Sequence, residues 1–183
     1  MSEITQKKWA AIYANDEFVC VQTCSGLRST ASDPAGKLIF LHAVPMPHEL
    51  GQALQEALLV SRRLTPEEIG HFFDVTAIEK RYEDWVAVMM QKFGYQTRRE
   101  LFKKMKHCQL ECSAGTIFIR PTFHEKLEAW SGKGIEKTDH VLISEMAAPY
   151  ELGEGALLAI SHHDFPMPDG LAIVLPPVRG GRD

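Results

Sequence analysis

The sequence predicts an α+β domain: a central, mostly antiparallel β-sheet with helices packed mainly on one face. Three observations carry this. Runs rich in β-branched and aromatic residues fall into two blocks, one early and one late. Amphipathic helical patterns fill the stretch between them and follow the second block. Strands and helices do not alternate one by one, so the rhythm of a parallel βαβ sheet is missing. At 183 residues, 45% hydrophobic and 24% charged, the chain is large enough to bury its own core. The simplest division is one domain over residues 1–163 and a Pro- and Gly-rich tail over 164–183, with a short strand at Leu171–Leu175.

Each element has a local reason. WAAIYA (Trp9–Ala14) and EFVCVQT (Glu17–Thr23) read as strands joined at Asn15-Asp16, a tight-turn pair. Ser25–Gly36 is full of small and breaker residues and reads as a loop; Lys37–Val44 is a third strand. Pro47–Arg63 opens with proline, suited to a first helical turn, and sets Leu50, Leu54, Ala57, Leu58 and Ser61 on one face. Leu64–Asp74 carries a capping box: Thr65 as N-cap, Pro66 next, and Glu68 three residues on. Thr76–Gly94 has an apolar stripe of Ile78, Tyr82, Trp85, Val86 and Met89, and Gly94 ends it. Thr97 caps a short helix to Met105. His107–Phe123 reads as a hairpin about SAG, and His124–Trp130 fits either a strand or one helical turn. His140–Glu145 is a strand and Pro149–His163 a last helix. Pro47-x-Glu-Leu-Gly and Pro149-x-Glu-Leu-Gly echo each other, but the sequences between do not match, so similar strand-to-helix joints account for the echo.

Charge is unevenly spread. Arg98–Lys106 holds five basic residues against one acid, a net of +4 in a chain of formal charge −4, which leaves the rest at −8. With a pI near 6.1 the chain lacks the basic footprint of a dedicated nucleic-acid binder. On a helix from Thr97, Leu101, Phe102 and Met105 share the packed face, Arg99, Lys103 and Lys106 point away, Glu100 and Lys104 form an i,i+4 pair, and Arg98 snorkels or meets a carboxylate. The plainer reading is a solvated basic face; the functional one is a surface for an acidic protein partner. No apolar run reaches membrane-spanning length and no signal peptide is recognisable, so the chain reads as cytoplasmic.

Catalytic signatures are weak. Cys20, Cys24, Cys108 and Cys112 form two Cys-x3-Cys pairs on strand-like segments, where i and i+4 lie ~13 Å apart, too far for two ligands of one zinc. They read as buried or idle thiols in a reducing cytosol. His124 and Glu128 would be metal ligands if their segment were helical, with Glu125 as general base and His140 or Asp139 completing the site; the zincin pattern, however, asks for a second His where Glu128 stands. His162-His163-Asp164 ends a helix, where imidazoles meet the C-terminal dipole. Phosphate-loop, dinucleotide and nucleophile-elbow motifs are absent. The residues alone do not define an enzyme and require no cofactor.

The order and spacing of Glu49–Leu64, Tyr82–Cys108, His124–Trp130 and Asp139–Ile160 resemble the immunity proteins of bacterial contact-dependent growth inhibition (CDI) systems. The resemblance spans residues 37–162 and leaves out the first strands and the tail. It implies a cytoplasmic, non-catalytic α+β protein, monomeric when free. Its partner would be the C-terminal toxin domain of a cell-surface effector, bound one to one, with the active site or an adjacent exosite covered. Such toxins are often nucleases, and some members accept a toxin hairpin by strand augmentation. An acidic protein suits a nuclease partner, whose site must bind phosphate. Contact residues do not transfer between pairs, so the candidates come from residue type: Tyr95, Arg98 and Arg99 at the basic corner, and Glu125, Glu128 and Trp130 in the ambiguous segment. For Tyr95 and Trp130 core packing is the competing reading. Two rival functions remain: a metal-dependent hydrolase on His124, Glu128 and His140, and a nucleic-acid-binding regulator using Arg98–Lys106.

Overall fold

A computed structural model describes residues 6–162. The tail, the strand expected at Leu171–Leu175, and the His163-Asp164 pair lie outside the described residues.

The sheet grows outward from two hairpins. β1 (Lys8–Ala14) pairs with β2 (Phe18–Gly26), and β5 (Lys106–Ser113) pairs with β6 (Thr116–Pro121). The first turn is set by Asn15, whose Oδ1 accepts from the amides of Glu17 and Phe18. The second uses Ala114 and Gly115, both at positive φ, the twist that a two-residue hairpin demands. β1 and β5 join antiparallel at the centre, Ala11 opposite Gln109. β4 (Leu38–His42) lies outside β2, and β9 (Val141–Ser144) outside β6, also antiparallel. The segment expected to be a plain loop contains β3 (Thr30–Ser32), which pairs with the end of β2 beyond the reach of β4.

One face is covered by α1 (Pro47–Leu59) and α5 (Pro149–Ser161). Leu50, Leu54 and Leu58 from α1, and Leu152, Ala156 and Ala159 from α5, close over Ile12, Val21, Leu110 and Ile119. Each fully buried Leu or Ile contributes about 1.5–3 kcal/mol. α1 stops at Leu59 rather than Arg63, because Ser61 leaves the helical stripe to bridge strands: its Oγ accepts from Trp9 N (2.8 Å) and donates to the Cys24 carbonyl (2.7 Å).

The opposite face carries helices as well. α2 (Pro66–Phe72), capped by Thr65 and Glu68 as expected, leads into α3 (Val75–Phe93). Gly94, at φ 71°, closes α3. α3 and the short α4 (Arg98–Phe102) form a second core of Phe18, Cys20, Trp85, Val86, Met89, Leu101, Phe102 and Met105. Of the described helices, none is long and apolar enough to cross a membrane.

The Pro-x-Glu-Leu-Gly echo has a spatial meaning beyond similar joints. The units β1–β2–β4–α1 and β5–β6–β9–α5 repeat one order of elements and meet where β1 pairs antiparallel with β5. Gly51 meets the Pro149 carbonyl and Gly153 meets the Pro47 carbonyl, a reciprocal contact. α2, α3 and α4 are inserted between the units.

Candidate functional site

The ambiguous segment is a hairpin, β7 (Phe123–Lys126) with β8 (Ala129–Ser131), forming its own two-stranded sheet. That overturns the helical premise of the metal reading. His124 stacks on Trp130 (centroids 4.9 Å) and its Nε2 meets the Leu127 carbonyl. His140 lies elsewhere, just before β9, and among the described residues no group of three His, Cys, Asp or Glu side chains is arranged to hold a metal.

The hairpin docks where α3 and α4 meet. Glu128 accepts from Tyr82 Oη (2.7 Å) and Arg98 Nη1 (3.0 Å), while Arg98 also pairs with Glu83. Burial, followed by the hydrogen bond to Glu128, pushes the Tyr82 phenol well above its ordinary range. Trp130 donates Nε1 to the Met105 carbonyl (3.1 Å) and lies edge-on to Tyr13. Arg98, Glu128 and Trp130 are therefore gathered at one corner, as neighbours in the fold. Tyr95 instead accepts from Asn15 Nδ2 (2.9 Å), so it anchors the first hairpin turn. Tyr95 and Trp130 are half-buried against the second core, while Arg99 and Glu125 are exposed.

The basic segment divides by partner. Leu101, Phe102 and Met105 are buried as its pattern required. The expected Glu100–Lys104 pair does not form: Glu100 caps the amides of Gln96 and Thr97, and Lys104 reaches Asp16 (2.9 Å). The Lys104 hydrogen bond holds the Asp16 carboxyl below its ordinary range. Arg99 and Lys103 carry no ion pair among the described residues and face solvent.

Beside this corner, Tyr82 also forms part of a cleft of about 560 Å³ between α3 and the open half of the second sheet face. Its floor is a row across four strands, Gln22, Ala11, Gln109 and Arg120, each opposite the next in the register. Arg28 and Arg81 stand on its walls. Glu111 is its one carboxylate and is already engaged by Lys7 (2.9 Å), Trp9 Nε1 (3.3 Å) and, loosely, Arg120 (3.8 Å). Burial would raise the Glu111 pKa, but Lys7 and Trp9 outweigh it and the net shift is downward. None of the cleft's polar floor was singled out from sequence, although a signal was present: Gln109 and Glu111 fall on one face of a central strand, where an apolar cover would not tolerate them.

The cysteines fit strands rather than zinc. Cys20 and Cys24 face the α3 side, Cys108 and Cys112 the α1–α5 side, and all four are free thiols. Burial pushes the Cys20 and Cys108 thiols up to about 12. At the end of α5, His162 Nδ1 contacts the Asp139 carbonyl (3.0 Å), which fastens the helix to the turn before β9.

In form this is an α+β domain whose described residues leave half of one sheet face open, with a charged corner and a recessed polar cleft side by side. The model of the CDI immunity protein family matches residues 8–162, and the chain belongs to that family. The match includes the first strands, which the motif resemblance had left out. The chain is 36% identical to "Immunity protein CdiI-YPIII" of Yersinia pseudotuberculosis serotype O:3 (strain YPIII), over 88% of this chain and 98% of that protein. A solved CdiA-CT/CdiI toxin and immunity complex from Yersinia pseudotuberculosis matches with TM-score 0.80 and 36% identity, over 87% of this chain and 98% of that one. A Neisseria meningitidis protein, NMB0488, described as of unknown function, matches with TM-score 0.82 and 35% identity, over 88% and 98%.

Proposed function

We propose that this chain binds and neutralises the C-terminal domain of a cognate CDI toxin, a nuclease, as a one-to-one cytoplasmic partner that performs no chemistry itself. The observation that carries this is the 36% identity, at TM-score 0.80, to a chain from a solved toxin and immunity complex. The charge distribution supports a nuclease partner: −8 outside Arg98–Lys106 steers a basic, phosphate-binding toxin and can cover its active site or an adjacent exosite. On this reading the toxin docks on the second sheet face, with Arg98, Glu128 and Trp130 as contacts at the corner and Tyr95, Arg99 and Glu125 as contacts beyond it. Arg99 and Glu125 face outward for this role; Arg98 and Glu128 present a fixed pair. A nucleic-acid regulator is the weaker reading, because Arg98 and Lys104 are already neutralised by carboxylates of the chain.

The test is to co-express the chain with the toxin-sized C-terminal fragment encoded just upstream, then measure copurification and host survival. A stable complex with rescue supports the reading. Toxicity that persists with no complex overturns it.

A further inference from the structure

We propose that the cleft is a carboxylate receptor: it takes an Asp or Glu side chain from the toxin segment that docks on this face. The inference rests on the toxin-binding reading and adds the chemistry of the central contact.

Among the described residues the cleft holds three cationic donors, Arg28, Arg81 and Arg120, against one carboxylate, and its other polar groups are neutral amides, hydroxyls and an imidazole. Arg81 gives one Nη2 hydrogen to the Phe72 carbonyl (2.8 Å) and lays its guanidinium over the Phe72 ring, which fixes its position; its Nε is buried and has no hydrogen-bond partner among the described residues. A buried, unsatisfied N–H on a cation is costly and is normally completed by an acceptor. Gln22 and Gln109 flank Ala11 on the floor, and neither side chain has a hydrogen-bond partner among the described residues. The alanine between them makes the gap: any larger residue at this central position would fill the space that the two amides border. Among the described residues Arg120 is ion-paired with Glu111 alone, at 3.8 Å, which leaves most of its donor fork unused by them.

The charge count points the same way. Three arginines, Arg28, Arg81 and Arg120, face one carboxylate, and Glu111 is the part of the cleft already satisfied. A second anionic acceptor is what the remaining donors lack, and the planar guanidinium fork suits a carboxylate. Size restricts the guest to a side chain or a short loop rather than a folded element. The surrounding protein is acidic, whereas this recess is locally positive. A toxin that is basic overall is drawn in by long-range attraction, and only one with a carboxylate at the right place seats fully. A toxin lacking that carboxylate leaves buried donors unpaired, which is a means of rejecting non-cognate partners.

The experiment uses the purified full chain and its cognate toxin domain, inactivated if necessary, with affinity read by calorimetry. Gln109→Glu places a negative charge on an exposed floor position without touching the core; Arg81→Met removes the orphan donor and keeps the stem. Both should weaken binding at least tenfold while the thermal midpoint of Gln109→Glu stays at the wild-type value. One toxin Asp→Asn or Glu→Gln substitution should cost as much, and should cost nothing further when combined with Arg81→Met. If the wild-type complex forms and Gln109→Glu binds at full affinity, the receptor inference is overturned and the immunity reading stands. Weakened variants with no coupled toxin carboxylate overturn it as well. Absence of any wild-type complex is the failure of the immunity reading, and the two are thereby told apart.

Discussion

Gly51 lies so close to the backbone of Pro149 that a β-carbon there would sit 1.7 Å from the Pro149 carbonyl oxygen, and Gly153 meets Pro47 at the same distance. Backbone cannot step aside as a side chain can, so α1 and α5 would have to separate. Gly51→Ala and Gly153→Ala should each destabilise by about 1–3 kcal/mol despite the helix propensity that alanine adds. Gly70 is the control, because a β-carbon there meets nothing within 4 Å. Gly70→Ala in α2 should be neutral or stabilise by up to about 1 kcal/mol. Urea unfolding midpoints decide the matter. An unchanged midpoint for Gly51→Ala would mean that the two helices are not held at this distance.

Asp33 predicts an acid-sensitive joint. Its side chain is buried, accepts from Ala35 N (3.0 Å), and pairs with Arg62 Nε (2.8 Å), which also holds Glu68. Burial would raise the Asp33 pKa, but the Ser25 hydroxyl, Arg62 and the Ala35 amide outweigh it and the carboxyl ends below its ordinary value. A depressed carboxylate stabilises the fold fully above its unfolded pKa, ~3.9, and that contribution is lost as pH falls through the folded value. Stability should therefore drop below about pH 4. Asp33→Asn should cost about 1–2 kcal/mol at pH 7, modest because Arg62 is partly exposed, and should flatten the acid limb. Equal pH slopes for wild type and variant would remove Asp33 from the account.

The cysteines give a direct chemical readout. Burial raises Cys20, Cys24 and Cys108 to about 12 and Cys112 to about 11. At pH 8 the thiolate fraction is then roughly one in a thousand or less, so a disulfide-exchange reagent should react negligibly with the native chain. In denaturant all four thiols should titrate at once. A fast-reacting native thiol would show that β2 or β5 opens locally.

Much of this was legible in the sequence, and what was missed has physical causes. Thr65-Pro66-Glu68 is a local signal that tertiary context left intact, and its box closes as read; Thr97 caps its helix as read, while Glu100 completes a second box there instead of the pair with Lys104 that spacing suggested. The hairpin turns were legible for the same reason. Ser61 was misplaced because helical spacing cannot see a strand that needs its hydroxyl. β3 was missed because three residues with one strand partner leave almost no periodic trace. Lys104 chose Asp16 over Glu100, a choice between a distant partner and a near one that spacing alone decides wrongly. The second helical layer and the cleft depend on which half of a sheet face α3 crosses. Gln109 and Glu111 hint at an uncovered half, but only the register places them beside Arg81.

The charged corner separates a residue that holds the fold from one that is free to meet a partner. Glu128 joins Tyr82 on α3 and Arg98 on α4 to the β7–β8 hairpin, so Glu128→Ala releases both at once. Arg98 and Glu83 are more than a third exposed, and screening limits what their pairing adds. The expected loss is about 1 kcal/mol in thermal or urea unfolding. Arg99, one residue along, is exposed and unpaired among the described residues. Arg99→Glu should leave stability within about 0.5 kcal/mol of wild type. On the proposed interface it should instead change the association rate with the toxin, with a difference that shrinks as salt rises from low to physiological strength, because rim charges act on encounter. Stopped-flow association at two salt concentrations measures this. Identical rates for Arg99→Glu and wild type, together with identical affinity for Glu128→Ala, would move the toxin contact away from α4 and the hairpin.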